Sequence, residues 1–459
     1  MSLDVLFAHA TNLIHTPADV AKLRQLILTL AVQDKLSTVK STQIKLGAVI
    51  KLVSGQHLLS DEQNDTFQGM PYLTGPSDFG EIEPNVTRWT TFPKSVALPG
   101  DVLLSVKGSI GKTNKLQSEP MAIGRQIMAI RPQPDILGDY IFIVLRSAHS
   151  HFLSLSRGIA IPGISRSDVL NLTIPLPPLA EQRRIVAKVD ALMARCDELE
   201  ALLTERARQQ ERVAQAAVAR VLAEPSVAAL EMLFDPQIGV SPAALRQTIL
   251  ALAVQGKLVP QDASWQIVPL KQLTTKIGSG STPQGGKEIY QDTGIPLIRS
   301  MNVYTGKFIY TGLAYINDEQ AEKLRSVTVH VNDVLLNITG ASIGRVTVVP
   351  ENLVGARVNQ HVCIIRPINE LLPKYLEIVL ASPQFQFIIF DVQVGATREA
   401  LTKSMIESFE IPLPPLAEQR RIVAKVDALM ALVDQLEAQQ AQAQRTASAL
   451  LDAVVAGEG

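Results

Sequence analysis

The stretch IPLPPLAEQRRIVAKVDALMA occupies residues 174–194, and the same 21 letters return at residues 411–431. Shared composition does not produce 21 identical residues in a row, so the chain consists of two related halves. An internal repeat has to be recognised first, because it determines how the rest of the sequence is interpreted. We refer to this stretch as the repeated motif.

A second repeat extends the first. LRQLILTLAVQDKL at residues 23–36 returns as LRQTILALAVQGKL at residues 245–258. A helix-capping residue followed by proline precedes each copy, at Thr16-Pro17 and at Ser241-Pro242, which predicts where each helix begins. The predicted order is helix, variable region and motif helix, and then the same three parts again.

The two variable regions predict β-rich domains of one fold. Short β-prone runs such as residues 102–106 alternate with Gly, Pro, Asn and Asp turns, and a helix is expected around residues 137–155. The regions share short signals in phase, including Asp-Val-Leu-Leu from Asp101 and again from Asp333. A duplicated scaffold with different loops implies two binding surfaces of one kind and different specificity.

The motif helices carry a heptad pattern. Sustained apolar spacing of 3.5 residues is typical of a coiled-coil seam. The seam positions are Ile185, Val189, Leu192, Cys196, Leu199 and Leu203 in the first copy, and Ile422, Val426, Leu429, Val433 and Leu436 in the second. Homodimerisation would use such a seam, but we favour antiparallel pairing of the two helices within one chain, because the repeat supplies both partners.

These patterns predict an α+β fold. Two β-rich α/β domains are separated by a pair of long antiparallel coiled-coil helices, and a pseudo-two-fold internal repeat relates the halves. The predicted segments are a helical segment at 1–38, the first variable domain at 39–173, a central helical region at 174–262, the second variable domain at 263–410 and a C-terminal helix at 411–459.

Composition narrows the class of protein. The chain has 459 residues and a net charge of −1, whereas a protein that binds DNA strongly on its own usually has a basic excess. Any basic surface is therefore local, as between Arg88 and Arg166, or is supplied by partners. We expect no signal peptide and no membrane span. Cys196 and Cys363 form no metal or disulfide pattern, and a cytoplasmic protein with both thiols buried is expected.

Candidate catalytic motifs fail on their spacing. The turn at residues 108–113 lacks the first glycine of a phosphate-binding loop, and a tight turn after a strand explains it better. Residues 278–283 lack the third glycine of a dinucleotide fingerprint, so we interpret them as a flexible polar loop. No Asn-Pro-Pro-aromatic tetrad and no cluster of metal ligands occurs, and His361 is expected to be structural or a contact residue. The sequence predicts neither a catalytic residue nor a metal site.

The chain resembles the specificity subunits of type I restriction-modification systems. The resemblance covers nearly the whole chain, and the residues that carry it are the doubled IPLPPLAEQRRIV, the heptads after it and the repeated LRQxILxLAVQxKL helix. Gly278-Ser-Gly-Ser-Thr-Pro283, Tyr290 and Gly294-Ile-Pro296 add to it. A coiled-coil scaffold without DNA recognition is the alternative.

The resemblance implies a division of labour. Each variable region would be a target-recognition domain that reads one half of a bipartite double-stranded DNA site, and the paired helices would dock two methyltransferase (modification) subunits. Those subunits would bind S-adenosylmethionine, while restriction (motor-nuclease) subunits would use ATP and Mg. No cofactor is expected on this chain, which would be a non-catalytic subunit.

Candidate DNA contacts follow from residue type. Lys, Arg and small hydroxyls hold phosphates, and Arg, Asn and Gln read base edges. The candidates are Lys107, Lys112, Lys115, Arg125, Arg157 and Arg166 in the first half, and Ser279, Ser281, Thr282, Lys287, Asn302, Arg345, Gln360, Arg398 and Lys403 in the second. Arg166 and Lys403 stand 237 positions apart, just before the two copies of the motif, which favours one shared role with phosphate or a partner.

Overall fold

A computed structural model gives the architecture and describes residues 14, 16–33, 35–37, 39–156, 162–262, 264–281, 290–394 and 400–456. The chain divides into two compact units. Unit 1 comprises residues 1–206 and 445–459, and unit 2 comprises residues 207–444.

Unit 1 begins with a helix, continues through short strands and ends in the first long helix. Its elements are α1 (Pro17–Val32), β1 (Thr42–Lys45), β2 (Ile50–Ser54), β3 (Met70–Leu73), β4 (Arg88–Thr90), β5 (Val96–Ala97), β6 (Val102–Ser105), β7 (Thr113–Lys115), β8 (Met121–Ile123), β9 (Ile127–Pro132), α2 (Gly138–Ser147), α3 (His149–Ser154), α4 (Arg166–Leu170), β10 (Thr173–Leu176) and the first part of α5 (Leu179–Ala223).

Unit 2 repeats this order. Its elements are the rest of α5, then α6 (Val227–Met232), α7 (Pro242–Val254), β11 (Gln266–Pro269), β12 (Thr274–Ser279), β13 (Ile295–Ile298), β14 (Val303–Tyr304), β15 (Lys307–Phe308), β16 (Ala314–Ile316), α8 (Asp318–Lys323), β17 (Val334–Asn337), β18 (Val346–Val348), β19 (Arg357–Val358), β20 (Val362–Pro367), α9 (Pro373–Ala381), α10 (Pro383–Val394), α11 (Lys403–Glu407), β21 (Glu410–Leu413) and α12 (Leu416–Ala456).

The antiparallel sheets of the two units have the same strand order, and the mixed sheets share three strands of that order. Unit 1 holds an antiparallel sheet β2-β9-β6-β7 and a mixed sheet β4-β3-β8-β5, and unit 2 holds the matching β12-β20-β17-β18 and β16-β13-β19. The pairs β3–β8 and β13–β19 are both parallel. A two-stranded ladder closes each repeat, β1 with β10 and β11 with β21. The prediction of two β-rich domains of one fold is therefore confirmed.

A buried ion pair occupies the same place in both cores. Arg131 donates through Nε and a terminal nitrogen to Asp101 at 2.9 and 2.8 Å, and Arg366 donates likewise to Asp333 at 2.7 and 2.8 Å. Both aspartates are almost fully buried. The Asp-Val-Leu-Leu signal in the sequence therefore marks a strand and the aspartate directly before it, which anchors the neighbouring strand β9 or β20.

The helix starts follow the capping signals. The Thr16 side chain accepts from the Asp19 N–H, and the Ser241 side chain accepts from the Ala244 N–H, each with proline at the first helical position. The long helices begin directly after the paired prolines of the motif and contain 45 and 41 residues, with Glu181 and Glu418 in their first turns. These predictions are confirmed, and the expected helix around 137–155 is present as α2 and α3.

The motif glutamine accounts for part of the identity between the two copies. Gln182 is fully buried, donates to the carbonyls of Pro177 and Asp135 at 2.9 Å each, and accepts from the Leu137 N–H at 2.8 Å. Gln419 makes the matching contacts with Pro414, Glu370 and Leu372 at the same distances. Each glutamine therefore joins the start of a long helix to the loop before α2 or α9.

The seam residues in the first part of each long helix also pack against short helices of their own unit, which the sequence did not predict. Ile185, Val189, Leu192 and Cys196 are buried in the core of unit 1 together with residues of α1 and α2, and Leu199 and Leu203 pack against the same core. In unit 2, Ile422, Val426, Leu429 and Val433 are buried with residues of α7 and α9, and Leu436 packs against them. Heptad spacing specifies an apolar stripe, but α1 and α7 offer an apolar face within the same repeat.

The long helices do run antiparallel within each unit. In unit 2, Ala214, Ala217 and Val221 from the last part of α5 share a core with the first part of α12. In unit 1, Lys22 of α1 binds Ser448 and Asp452 from the last part of α12, whereas the first part of α5 is buried in the same unit. Each unit thus contains the beginning of one long helix and the end of the other.

A repeated arginine attaches the short helix to the long one. Arg24 of α1 pairs with Asp197 and Glu200 of α5 at 2.6 and 2.7 Å, and Arg246 of α7 pairs with residues 434 and 437 of α12 at the same distances. The acidic partners are 237 positions apart, as the repeated motif is. The short helix of each half, α1 or α7, is therefore attached to the long helix that begins in the repeated motif.

Candidate nucleic-acid interface

Val106 is the first residue after β6, and Ile338 is the first residue after β17. Their backbone groups hold together one edge of each unit. The Val106 N–H donates to the Gln126 carbonyl at 2.8 Å, and the Ile164 N–H donates to the Val106 carbonyl at 2.9 Å. In unit 2, the Ile338 N–H donates to the His361 carbonyl at 3.0 Å, and the Leu401 N–H donates to the Ile338 carbonyl at 2.9 Å. Three segments that are distant in sequence therefore meet at this edge.

Four basic candidates of unit 1 lie on the segments that meet there. Lys107 follows Val106 and bridges to Gly163, and Arg125 stands in the turn between β8 and β9. Arg166 begins α4 and donates to the Ser54 hydroxyl at 3.3 Å at the end of β2. Lys112 precedes β7. All four side chains are exposed, so the edge presents an accessible cationic surface.

The candidates of unit 2 occupy matching positions with other side chains. Ile127 pairs with Ser105, and Val362 pairs with Asn337. Arg125 lies two residues before Ile127, and Gln360 lies two residues before Val362, so Arg125 and Gln360 are equivalent. The equivalence was not visible in the sequence, because the equivalent positions of the two turns hold different residues.

Two further pairs are equivalent. Lys112 and Arg345 both stand one residue before the strand that pairs with β6 or β17, and their carbonyls accept from the Ser105 and Asn337 N–H groups at 2.8 Å. Arg166 and Lys403 both occupy the first position of a short helix, after the caps Ser165 and Thr402. Lys403 also lies 3.7 Å from Glu407. Each unit thus places a different set of side chains on one frame.

Two of the candidate DNA contacts, Lys115 and Asn302, make contacts within the protein. Lys115 is half-buried, pairs with Asp139 at 2.6 Å and lies 4.9 Å from the centre of the Phe142 ring. Asn302 is fully buried; its side chain accepts from the Arg299 N–H at 3.0 Å and donates to the Ile309 carbonyl at 2.9 Å. The DNA contact predicted at Asn302 is wrong, since residue type alone does not reveal burial, and the contact predicted at Lys115 stays a prediction.

The predicted polar loop at 278–283 is in part a strand. β12 extends through Ser279, which pairs with Cys363, and the Gly280 N–H donates to the Asn359 carbonyl at 3.1 Å. Ser279 and Ser281 are exposed beside the turn that carries Gln360. Four candidates lie outside the described residues: Arg157, Thr282, Lys287 and Arg398.

The turn at residues 108–113 is confirmed as a tight turn. Gly108 and Gly111 have φ values of 74° and 79°, and in unit 2 Gly340 and Gly344 have φ values of 67° and 81°. Positive φ explains glycine at these positions. The turn joins β6 to β7, and the matching turn joins β17 to β18.

Each unit has a depression beside the β8–β9 or β19–β20 turn. The sequence analysis did not name several of the lining residues as candidate contacts. In unit 1 the depression is lined by His57, Gln63, Thr74, Ser77, Arg125 and Gln126. In unit 2 it is lined by Ser300, Met301, Tyr304, Thr339, Arg345 and His361. His361 contacts the Thr339 hydroxyl through Nδ1, which fixes its ring at the floor. Gln126 and His361 occupy equivalent positions, but Lys112, the counterpart of Arg345, does not line the depression of unit 1.

Both thiols are buried, and burial favours their protonated form. Burial raises the pKa of Cys196 to about 11 and that of Cys363 to about 12, so the reactive thiolate is scarce. The prediction that both cysteines are buried is confirmed. Within the described residues, no group of three His, Cys, Asp or Glu side chains is placed to hold a metal ion, and no helix is long and apolar enough to cross a bilayer.

Comparison with known proteins identifies the family. The family model of the type I restriction modification DNA specificity domain matches residues 39–208 and 263–444. It therefore covers both variable regions and the start of each long helix. The chain belongs to this family. A coiled-coil scaffold without DNA recognition domains is not supported.

Individual specificity subunits are similar over most of the chain. The EcoBI specificity subunit of Escherichia coli is 24% identical over 422 residues, which is 86% of this chain and 81% of that subunit. The MjaVIII specificity subunit of Methanocaldococcus jannaschii is 21% identical over 90% of this chain and 92% of its own length. A solved chain from a study of complex assembly and conformational transition of the type I R-M system has a TM-score of 0.60 at 22% identity, covering 91% of this chain and 96% of that one. That likeness supports the fold.

Proposed function

We propose that this chain selects the DNA sequence for a type I restriction-modification complex by reading a bipartite target, one half with each unit. The observation that carries the proposal is the pair of matching edges. One backbone frame occurs in both units, but the side chains at equivalent positions differ. Unit 1 has Lys112 and Arg125 where unit 2 has Arg345 and Gln360. A homodimer would present identical residues and read identical half-sites. A single chain with two different edges reads two different half-sites.

The exposed side chains divide into two expected roles. Arg166 and Lys403 begin a short helix at the same place in both units, which suits a sequence-independent phosphate contact. The positions that differ between the units, such as Arg125 and Gln360, suit base readout. Lys107 and Lys112 add positive charge to the edge of unit 1, where salt-dependent phosphate binding is expected.

The long helices would dock two copies of one modification subunit. Arg183, Lys188 and Asp190 are exposed on α5, and their identical counterparts Arg420, Lys425 and Asp427 are exposed on α12. Burial does not require these letters, so a repeated surface that receives the same partner twice explains their identity. The docking surface is therefore constant, whereas the recognition edges are variable.

The chemistry would belong to the partners in the cytoplasmic complex. Modification subunits would bind S-adenosylmethionine and methylate adenine, and restriction subunits would use ATP and Mg. This chain would contribute binding and positioning and would carry out no catalysis itself.

A gel-shift experiment tests the proposal. The full chain is combined with the modification subunits of the same host and titrated onto fragments of host genomic DNA across a series of salt concentrations. We expect a small set of fragments to be retained at salt concentrations that release all others, because non-specific binding weakens most steeply with salt. Equal retention of all fragments, or the same pattern with modification subunits alone, would contradict the proposal.

A further inference from the structure

An aromatic ring, and not a carboxylate, holds the Arg345 side chain in unit 2. The carbon at the centre of its guanidinium lies 4.3 Å from the centre of the Tyr304 ring. The side chain is half-buried, and among the described residues no carboxylate forms an ion pair with it. A guanidinium that lies over an aromatic ring is restrained by it while its N–H groups stay available to a ligand.

The backbone holds both partners in place. The Arg345 carbonyl accepts from the Asn337 N–H at 2.8 Å, and the Arg345 backbone N–H donates to the Ser342 carbonyl at 3.2 Å. Tyr304 lies in the β14–β15 hairpin, where the Gly306 N–H donates to the Val346 carbonyl at 3.0 Å. The hairpin is thus attached to the residue that follows Arg345, so the pair is organised before any ligand binds.

The surroundings favour a base edge over a phosphate. Arg345 is the one cation among the described residues that line this depression, beside Ser300, Met301, Thr339 and His361. Phosphate sites commonly gather several cations or backbone N–H groups. A single arginine restrained by an aromatic ring instead matches two neighbouring acceptors, and guanine presents O6 and N7 in the major groove in that arrangement.

We propose that Arg345, positioned by Tyr304, reads a guanine in the half-site bound by unit 2. This inference rests on the proposed function and deepens it by naming one base and the pair of side chains that selects it. Tyr304 is a positioning residue, since it acts through the orientation of Arg345.

Unit 1 provides an internal comparison. Lys112 stands at the position of Arg345, and a single bridge between Phe79 and Pro84 takes the place of the β14–β15 ladder. Gly80 then follows Phe79 as Tyr304 follows Val303. A lysine without an aromatic platform donates as a point charge and does not form the paired guanine contact. The same readout is therefore not expected from unit 1.

The experiment uses the full chain with its modification subunits and the DNA target they bind. Each guanine of both half-sites is replaced singly by 7-deazaguanine, which removes the N7 acceptor, and the dissociation constant is measured. We compare the unsubstituted chain with Arg345→Ala, Arg345→Lys, Tyr304→Phe and Tyr304→Leu, and with Lys112→Ala as the matched change in unit 1.

One guanine should dominate the result. We expect 7-deazaguanine at one position of one half-site to weaken binding of the unsubstituted chain about tenfold, and Arg345→Ala to abolish the sensitivity at that position alone. Tyr304→Phe should keep the sensitivity, since the ring face remains, and Tyr304→Leu should reduce it. Lys112→Ala should leave the sensitivity at that position unchanged.

Several results would overturn the inference while leaving the proposed function intact. They are equal weakening by Arg345→Ala on all duplexes, which indicates a phosphate contact, and a half-site for unit 2 without a guanine. Unchanged sensitivity in Tyr304→Leu would refute the positioning role. If the complex shows no preference among duplexes, the proposed function fails and this inference with it.

Discussion

Gln182 and Gln419 show how a single side chain enforces the geometry of each repeat. Each amide is fully buried and joins three backbone groups from two segments. A buried backbone group that loses its partner costs about 1–3 kcal/mol. The glutamine is therefore a structural requirement of the motif, and its identity in both copies follows from the fold.

Gln419→Ala should destabilise unit 2 by on the order of 3 kcal/mol, because it leaves the Leu372 N–H and the carbonyls of Glu370 and Pro414 without partners. Trp265 is the tryptophan of unit 2, so its fluorescence in a Trp89→Phe background reports urea unfolding of that unit alone. Arg420→Ala, an exposed neighbour, is the control and should have little effect. Equal midpoints for the two variants would show that the glutamine contributes nothing to stability.

At the scale of elements, the short repeated helix is the partner of the long one. Arg24 and Arg246 pair with acidic residues of α5 and α12 at matching distances. These ion pairs raise the pKa of both arginines, although desolvation acts against the shift. Their acidic partners are well exposed, so each contact is screened by salt and contributes modestly.

Arg246→Ala should lower the free energy of unfolding of unit 2 by about 1 kcal/mol at low salt and by less at high salt. Urea unfolding followed by Trp265 fluorescence at both ionic strengths measures the difference, and Arg24→Ala is the matched change in unit 1. A loss that is large and independent of salt would show that packing of the arginine stem, and not its charge, holds the helix.

The sequence predicted local features better than partners. Thr16, Ser241 and the paired prolines marked the helix starts correctly, because capping depends on a few adjacent residues. The short helices that cover the heptad stripe were missed, since spacing identifies an apolar face but not what covers it. Asn302 was wrongly predicted as a DNA contact, because residue type does not reveal that the side chain is buried. The equivalence of Arg125 and Gln360 required the strand register, because the equivalent positions of their turns hold different residues.

At the scale of the whole molecule, the constant and the variable parts divide the proposed function. The 21 identical letters hold helix starts, a buried amide and exposed residues that would meet identical partners. The two edges that would meet DNA share a backbone frame and differ in side chains. Under the proposed function, exchanging one variable region would change specificity and leave docking unchanged.

Lengthening both long helices should change the spacing of the target and leave its bases unchanged. An insertion of one heptad in α5 and a matching one in α12 preserves the apolar periodicity of both helices, and the methylated sites are then mapped by sequencing. We expect the same two half-sites with a different number of unspecified base pairs between them. An unaltered spacer would show that the helices do not set the separation.

Adenine methylation mapped across the host genome, in cells that carry either the native chain or a chimera, tests the central claim most directly. In the chimera, residues 263–410 come from another specificity subunit, and every other residue is kept. The account predicts a bipartite methylated motif for the native chain, and for the chimera a motif in which one half is replaced and the other is identical. A contiguous motif, or a chimera that changes both halves at once, would contradict the claim that each unit reads its own half-site.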